Sequence, residues 1–475
     1  MKLYNSLSKQ KEIFTPIDPQ EVGIYHCGPT VYWTQHIGNM RAVVMADLLH
    51  RTLNYLGYPT NLVRNYTDVG HLTGDNEGDA DHGEDRMEKA SKREGLEPLE
   101  IAQKYINQYE SDRTALHTLP PKNTPSATDH IPEMIAMVET LIEKGYAYNT
   151  DLAIYFDVTK KSDYTKLSGQ NLEEQITDAG HGTVSDPDKR HPSDFALWFF
   201  KAGTHRQALQ TWTSPFSSPL VNEGEGFPGW HIECSAMSKK YLGATFDIHM
   251  GGIEHIPIHH TNEIAQSESA HGVEMAHYWV HNEHLLVDGG KMSKSEGTSY
   301  VLEDIVNKGF SPIDLRYFFL QAHYRSKQNF TWEALESSKT TLRKIYRDII
   351  TLRKESGDQV GAVDLDYKQR FTEKIEDDIN IPQALAVFHD LLKSDLPAED
   401  TLITAYDFDR VLGLGLQKYE DTVIEISPEL KELLKQRQKA RENKDFETSD
   451  RLRDEIAVMG YLVSDSGGEQ NISKK

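Results

Sequence analysis

The stretch Cys27-Gly-Pro-Thr-Val-Tyr-Trp-Thr-Gln-His36-Ile-Gly-Asn39 joins a strand to a helix, and the order of elements around it defines the fold. Val22-Gly-Ile-Tyr-His-Cys27 leads into it and alternates apolar and small residues, which predicts a short buried strand. After it, apolar residues recur at helical spacing up to Gly57, and Thr60-Asn-Leu-Val-Arg64 predicts a second strand. Strand, turn, helix and strand form a βαβ unit, whose turn offers free backbone N–H groups to a phosphate.

Two short motifs narrow the class of protein. The turn carries His36-Ile-Gly-Asn39 instead of a glycine-rich dinucleotide or P-loop fingerprint, and Lys291-Met-Ser-Lys294-Ser295 follows far downstream. The first resembles the HIGH motif of class I aminoacyl-tRNA synthetases, with Asn39 in place of the last histidine. The second matches their KMSKS motif at every position. The pair therefore predicts an ATP-dependent enzyme of this class.

Three further stretches make the resemblance specific. Cys27-Gly-Pro-Thr30, Gly229-Trp-His-Ile-Glu-Cys234 and His259-His-Thr-Asn-Glu263 occur in the order found in cysteinyl-tRNA synthetases. The resemblance covers nearly the whole chain. It implies ligation of L-cysteine to tRNA(Cys) through a cysteinyl-adenylate, with ATP, Mg²⁺ and one Zn²⁺ per chain.

The implied fold is α/β: a class I Rossmann-like nucleotide-binding catalytic domain with an inserted α+β subdomain, a helical bundle and a small C-terminal domain. We expect catalytic halves at 1–119 and 206–310, the second carrying the KMSKS loop, with a connective insertion at 120–205 between them. The bundle on the anticodon side should span 311–424, and the anticodon-binding domain and tail 425–475. The insertion is short for a separate editing domain.

The composition of the chain predicts its cellular location and limits the partners it can bind. The 475 residues are 38% hydrophobic, without an apolar run of membrane-spanning length, and two cysteines give no disulfide framework. We expect a cytoplasmic monomer that does not bind membranes. A formal charge of −23 argues against nucleic-acid binding through overall charge. The segment 342–354 is a local exception, with five basic residues and one acidic residue.

The chemistry of amino-acid activation indicates roles for the motif residues. The carboxylate of the amino acid attacks the α-phosphate of ATP and pyrophosphate leaves, so catalysis consists mainly of positioning and charge neutralisation. Glu254 departs from the family, which usually has Asp after Gly-Gly-x, and Asn39 offers only a neutral donor. The resemblance implies catalysis by His36, Gly38, Asn39, Lys291 and Lys294, and ATP binding by His36, Gly38, Asn39, Gly251, Gly252, Glu254 and Lys294.

The resemblance also implies zinc ligands, namely Cys27, Cys234, His259 and Glu263. Zinc accepts sulfur, nitrogen and oxygen donors in tetrahedral geometry. His259 and Glu263 are four residues apart and would project from one helix face, while His260 would point elsewhere. Thr67, Trp230 and His231 are the residues expected at the substrate cysteine.

Two alternative functions remain open at this stage. A cysteine-adenylating ligase acting on an amino-sugar, as mycothiol ligases do, would keep the ATP and zinc motifs but lack much of residues 310–475. A non-catalytic, synthetase-like binding protein would be expected to lose the ATP motifs, whereas 291–295 is intact. Outside the site, we expect an exposed acidic loop at 74–85 and a disordered polar tail at 464–475.

Overall fold

The computed structural model describes residues 1–70, 72, 85–170, 186–292, 297–420, 427–443, 445–466 and 469–474. The chain divides into two compact units. One comprises Met1–Val306 and Phe310–Leu416, and the other comprises Asn307–Gly309 and Gln417–Lys475. Within the described ranges, no helix combines the length and apolar character needed to cross a membrane.

The strands are short and fall into parallel and antiparallel groups. In chain order they are β1 Lys2–Asn5, β2 Gln10–Ile13, β3 Val22–His26, β4 Thr60–Arg64, β5 Ala147–Asn149, β6 Ala153–Phe156, β7 Phe195–Phe200, β8 Gly226–Pro228, β9 Phe246–Gly252, β10 Ala276–Asn282, β11 Leu285–Val287, β12 Gly290–Lys291, β13 Gln328–Phe330, β14 Tyr461–Ser466 and β15 Glu469–Lys474.

The helices dominate the C-terminal half. In chain order they are α1 Ile37–Tyr55, α2 Arg86–Glu94, α3 Pro98–Ala115, α4 Ile131–Glu143, α5 Trp230–Leu242, α6 His259–His271, α7 Leu302–Asn307, α8 Pro312–Leu320, α9 Trp332–Ser356, α10 Leu365–Glu376, α11 Ile381–Leu391, α12 Ala398–Leu412, α13 Pro428–Glu442 and α14 Phe446–Val458.

A parallel sheet of order β10-β9-β3-β4 forms the centre of the larger unit. Ile24 of β3 lies opposite Leu62 of β4 and Ile248 of β9. All residues of β3 and β9 are buried, as expected for central parallel strands covered on both faces. The predicted βαβ unit and the α/β class are confirmed, because α1 connects the parallel strands β3 and β4.

An antiparallel sheet of order β5-β6-β7-β8 lies between the two halves of the parallel sheet in the sequence. Its strand β7, Phe-Ala-Leu-Trp-Phe-Phe, is buried throughout, and α4 contributes Met134, Val138 and Leu141 to the same apolar core. The last strand comes from residues 226–228, so the sheet draws on chain that follows the predicted insertion of 120–205.

Helices α8 to α12 follow the catalytic sheet. Sequence periodicity predicts helices at 312–321, 332–351, 366–376 and 383–392, which correspond to α8 to α11. It predicts none at α12, whose residues Leu402, Ala405 and Phe408 pack into the same core as α9. Helix α2 is also absent from the prediction; Asp85 caps its first turn by accepting from the backbone N–H groups of Met87 and Glu88. The remaining acidic-loop prediction, 74–84, lies outside the described residues.

The smaller unit contains α13, α14 and an antiparallel pair of strands, β14 and β15. In the register Tyr461 lies opposite Lys474, and Val463 opposite Ile472. The prediction of a disordered tail over 464–475 is therefore wrong for the described part of that segment. Gly467-Gly468 stands between the two strands in the sequence, and Gly-Gly is a common hairpin dipeptide. The polar composition of the tail nevertheless favours a prediction of disorder.

A buried ion pair joins α1 to α8. Arg316 is 0% exposed and donates to Asp47 Oδ2 at 2.7 Å, and also to the carbonyl oxygens of Leu412 and Leu116. Burial acts to raise the pKa of Asp47, but Arg316 and Arg51 outweigh it, so that the pKa lies below the ordinary value. The pair thus stabilises the fold at neutral pH and is lost as the pH falls below about 4.

We expect Arg316→Met to lower the free energy of unfolding by about 3–5 kcal/mol, because it leaves a buried carboxylate with incomplete compensation. Urea denaturation at neutral pH would measure the change. The control is Arg410→Met, which removes a 60%-exposed partner of Asp407 and should cost about 1 kcal/mol or less. Equal losses for the two variants would contradict a special role of the buried pair.

Candidate active site

A cleft of about 500 Å³ opens where the carboxyl ends of β3 and β9 meet the amino end of α1. This is the usual ligand position in an open parallel sheet. The cleft collects predicted residues from four distant parts of the chain. Those that line it are His36, Asn39, Thr67, Trp230, Gly251, Gly252, Glu254 and Lys291, together with Cys27, Cys234 and His259.

The amino end of α1 is capped by His36, whose Nδ1 accepts from the backbone N–H of Asn39 at 3.2 Å. Lys291 belongs to β12, which pairs with β11 beside the cleft. A Cβ on Gly38 would lie 2.1 Å from Cε of Met292, so the absent side chain lets this hairpin approach α1. Lys294 lies outside the described residues.

Cys27, Cys234, His259 and Glu263 are buried together, and one ligand atom from each lies within 4.8 Å of the others. The two Sγ atoms are 3.9 Å apart, and Cys27 Sγ is 3.6 Å from Glu263 Oε1. His259 Nε2 is 2.9 Å from the same carboxylate oxygen. The four residues come from β3 and its turn, α5 and α6, and this set could hold a metal ion.

The charges of the cluster are strongly coupled. Burial opposes ionisation of Glu263, but His249 and His259 outweigh it and lower its pKa well below the usual range. Burial raises the pKa of Cys27, while a hydrogen bond from Cys27 lowers the pKa of Cys234 to about 6. Only one of two adjacent buried thiols therefore ionises readily. Two thiolates at this spacing would need a cation between them.

Two histidines that the sequence analysis did not assign also contact the cluster. His249 Nε2 lies 2.8 Å from Glu263 Oε2, and His260 Nε2 lies 3.4 Å from Cys27 Sγ. The prediction that His260 points elsewhere is wrong: Cys27, His249, His260 and Glu263 form a second possible ligand set. The sequence contains one hint of the role of His249, because a histidine stands there within the buried strand Phe246-Asp-Ile-His-Met250.

Of the three residues expected to contact the substrate cysteine, two line the cleft and one does not. Trp230 lines the cleft and stacks on His259 with ring centroids 4.2 Å apart. His231 instead lies behind His259, and their Nδ1 atoms are 3.0 Å apart. Thr67 lines the cleft and accepts through Oγ1 from Asn65 Nδ2. Trp230 and Thr67 can thus meet a ligand in the cleft, whereas His231 is placed to orient His259.

Glu254 lines the cleft, two residues after the end of β9 at Gly252. It is 53% exposed, and His284 Nε2 is 3.6 Å from its Oε2. An exposed carboxylate at this position can accept from hydroxyl groups of a bound nucleotide. The extra methylene relative to Asp lets the side chain fold back over Gly252, where an added Cβ would be 2.2 Å from Oε1.

Comparison of the sequence with known families gives two matches. Residues 13–340 match the tRNA synthetases class I (C) catalytic domain, and residues 425–472 match the cysteinyl-tRNA ligase anticodon binding domain. Cysteine–tRNA ligase 1 of Burkholderia lata is 43% identical over 99% of this chain and 96% of its own. A cysteine–tRNA ligase of Thermus thermophilus is 41% identical over 98% of this chain and 97% of its own.

Comparison with solved structures supports the fold. Mycobacterium tuberculosis methionyl-tRNA synthetase in complex with methionyl-adenylate superposes with a TM-score of 0.57 at 12% identity. The match covers 87% of this chain and 94% of that one. At this identity the similarity concerns the architecture alone.

We expect Gly28→Ala to disturb the cleft more than Gly38→Ala. A Cβ on Gly28 would lie 1.6 Å from the backbone oxygen of Asn65, whereas at Gly38 the clash is with the movable end of Met292. Asn65 contacts Gly28 N and Cys234 Sγ, so its displacement should reach the cluster. Gly28→Ala should cost at least about 1–3 kcal/mol and reduce bound divalent metal.

Thermal unfolding and elemental analysis of the two purified variants would measure both effects. If Gly38→Ala lowered stability and metal content as much as Gly28→Ala, the close approach of Gly28 to Asn65 would not be the cause.

Proposed function

The chain belongs to the cysteine–tRNA ligases of class I, and we propose that it joins L-cysteine to tRNA(Cys) through a cysteinyl-adenylate. The observation that carries the proposal is a cleft where the His36–Asn39 motif, Lys291 and a buried Cys/His/Glu cluster meet. The substrates are L-cysteine, ATP with Mg²⁺ and tRNA(Cys). The proposal includes a cytoplasmic location and a monomeric state.

In the first step, the cysteine carboxylate attacks the α-phosphate of ATP, an oxygen–phosphorus bond forms, and pyrophosphate departs with its electron pair. The capped amino end of α1 offers its backbone N–H groups and dipole to the phosphates. Lys291 adds positive charge from β12. In the second step, a terminal ribose hydroxyl of tRNA attacks the carbonyl carbon of the adenylate, and AMP leaves.

Zinc is the metal that the cluster fits best. Two thiolates at about 2.3 Å from a tetrahedral zinc would be about 3.8 Å apart. The observed Sγ–Sγ distance is 3.9 Å. Cys27, Cys234 and His259 line the cleft, while Glu263 lies buried beneath them. The proposal therefore assigns Cys27, Cys234, His259 and Glu263 as the ligands.

The position of the cluster explains how cysteine could be selected over serine. Zinc held there would supply a Lewis-acidic centre that takes a thiolate readily and an alcohol poorly. A pocket that sorts by size alone would separate the two substrates by little. Trp230, stacked on His259, limits the space above the ligands. Discrimination on the order of 10⁴ would make editing unnecessary.

The match of residues 425–472 to an anticodon-binding domain favours tRNA over an amino-sugar as the acceptor. A ligase that transfers cysteine to a small sugar amine has no use for such a domain.

The first test is ATP–pyrophosphate exchange with single amino acids. Exchange should require cysteine and should not occur with serine. Lys294→Ala should lower kcat by about 10² or more with cysteine binding largely retained, because the lysine would act on charge that grows on the leaving pyrophosphate. Lys160→Ala, a change of an exposed lysine elsewhere, is the matched control. Activity of Lys294→Ala within twofold of the control would reject the role.

The second test uses cobalt in place of zinc. Cysteine should alter the sulfur-to-metal charge-transfer absorption and serine should not, since only a thiolate adds a sulfur ligand. Cys234→Ser separates the two ligand sets, because Cys234 belongs to one and not to the other. In the proposed set this variant loses one thiolate band and binds metal at least about 10-fold more weakly. If the cobalt spectrum of Cys234→Ser matched that of the parental protein, the alternative ligand set of Cys27, His249, His260 and Glu263 would be favoured instead.

A further inference from the structure

Arg41 is a buried cation on α1, two residues after Asn39. Its side chain is 0% exposed, and it does not line the cleft. Burial lowers the pKa of Arg41 to about 10, although the charge of Glu283 acts in the opposite direction, so the guanidinium remains charged at neutral pH. A charge taken out of water is costly unless polar groups compensate it. The groups that do so show which parts of the chain Arg41 holds together.

The compensation comes from neutral acceptors that are distant in the sequence. Arg41 Nε donates to Oε1 of Gln328 at 3.2 Å, and Nη2 donates to the carbonyl oxygens of Ser326 at 2.9 Å and His323 at 3.3 Å. Nη1 donates to the carbonyl oxygen of Glu283. None of these four acceptors is a carboxylate oxygen. The planar fork of the guanidinium therefore joins α1 to two separate stretches of chain, one at 283 and one at 323–328.

The two stretches lead to the wall of the cleft that carries Lys291. Glu283 stands two residues before β11 begins, and the next two residues, His284 and Leu285, line the cleft. Gln328 begins β13 and lies opposite Leu285 in the parallel pair of β11 and β13. On its other side β11 pairs with β12, which contains Lys291. One guanidinium thus holds two of the segments that place this small sheet beside α1.

A second connection between α1 and the same region lies at the start of the helix. The backbone N–H of Ile37 donates to the carbonyl oxygen of Tyr300 at 2.8 Å, and His36 forms an antiparallel bridge with Val301. These contacts hold the chain that follows β12, whereas Arg41 holds the chain that precedes β11. The first two turns of α1 therefore carry both connections, and Arg41 is the one that acts through a side chain.

We propose that Arg41 is a positioning residue, which fixes β11 and β12 against the amino end of α1 and thereby sets the place of Lys291 relative to the triphosphate of ATP. The inference rests on the proposed function and adds to it a residue that no substrate touches. A misplacement of about 1 Å can cost about 10² in rate where a reaction depends on orientation. The cluster proposed to take the cysteine thiolate lies on other elements, so cysteine binding should not depend on Arg41.

The test is Arg41→Lys in the full-length protein. Lysine keeps the positive charge, but a single ammonium group cannot reproduce the fork that reaches both stretches. In ATP–pyrophosphate exchange, kcat/KM for ATP per bound metal should fall at least about 10-fold. The dissociation constant for cysteine, measured through the charge-transfer absorption of the cobalt form, should stay within twofold of the parental value. This split identifies positioning, because partial unfolding would lower the number of active molecules without affecting one substrate selectively.

Hydrogen exchange of backbone amides gives a readout that does not depend on activity. In Arg41→Lys, amides within 283–291 should exchange at least about 10-fold faster than in the parental protein, because β11 and β12 lose a connection to α1. Amides of β3 and β9 should keep their parental rates. Faster exchange throughout the central sheet would indicate general destabilisation and would contradict a local positioning role.

The matched control is Arg316→Lys. Arg316 is also fully buried and also contacts α1, through Asp47, but its hydrogen bonds go to neither of the two stretches. This variant should lose stability without a selective loss for ATP. The inference would be overturned if Arg41→Lys kept kcat/KM for ATP within twofold, if it lost cysteine affinity to the same extent, or if Arg316→Lys showed an equal loss for ATP.

Gln328→Leu keeps the inference testable if Arg41→Lys does not fold. It removes one of the four acceptors of Arg41 and should lower kcat/KM for ATP at least about 3-fold, with cysteine affinity retained. Unchanged kinetics or an equal loss for both substrates would count against the inference.

The parental protein separates this inference from the function on which it rests. If it failed to exchange pyrophosphate with cysteine, the proposed function would be rejected. If it exchanged normally and Arg41→Lys exchanged equally well, only the role of Arg41 would be rejected.

Discussion

The constraint on which the site depends is the burial of Glu263. A carboxylate that is 0% exposed is tolerated only where charged or hydrogen-bonding groups compensate it. His259 from the same helix and His249 from β9 supply that compensation, and Cys27 from the end of β3 reaches the same oxygen as His259. The carboxylate therefore remains ionised only if α6 packs against the central sheet in the position that brings these side chains together.

The same meeting point explains why the cleft lies where it does. Parallel strands direct their carboxyl ends to one edge, and there β3 gives way to the turn that leads into α1, while β9 ends at Gly251 and Gly252. The free backbone N–H groups at the start of α1 and the thiol of Cys27 at the end of β3 are consequently neighbours. A nucleotide and an amino acid can occupy adjoining parts of one cleft because a single turn serves both.

The helical part of the larger unit is coupled to this centre through charge buried on α1. Asp47 on that helix is held by Arg316 of α8, and Arg41, fully buried, donates to the carbonyl oxygens of His323 and Ser326. The helix whose amino end lines the cleft is thus anchored along its length to the elements that follow the sheet. Such anchoring favours rigid placement of His36 and Asn39.

The sequence by itself determined the local elements and the chemistry at the motifs. It predicts β4 at Thr60–Arg64 with its observed bounds, since hydrophobic period and glycine or proline stops are local signals. The four cluster residues are named by the resemblance to the family. The sequence misses α12, whose stability comes from packing. It also predicts disorder over 464–475, where the structure has β15 and part of β14. Only the tertiary structure decided that His231 lies behind His259 and that His249 and His260 face the cluster, because those contacts join residues from different elements, and periodicity within one element carries no information about them.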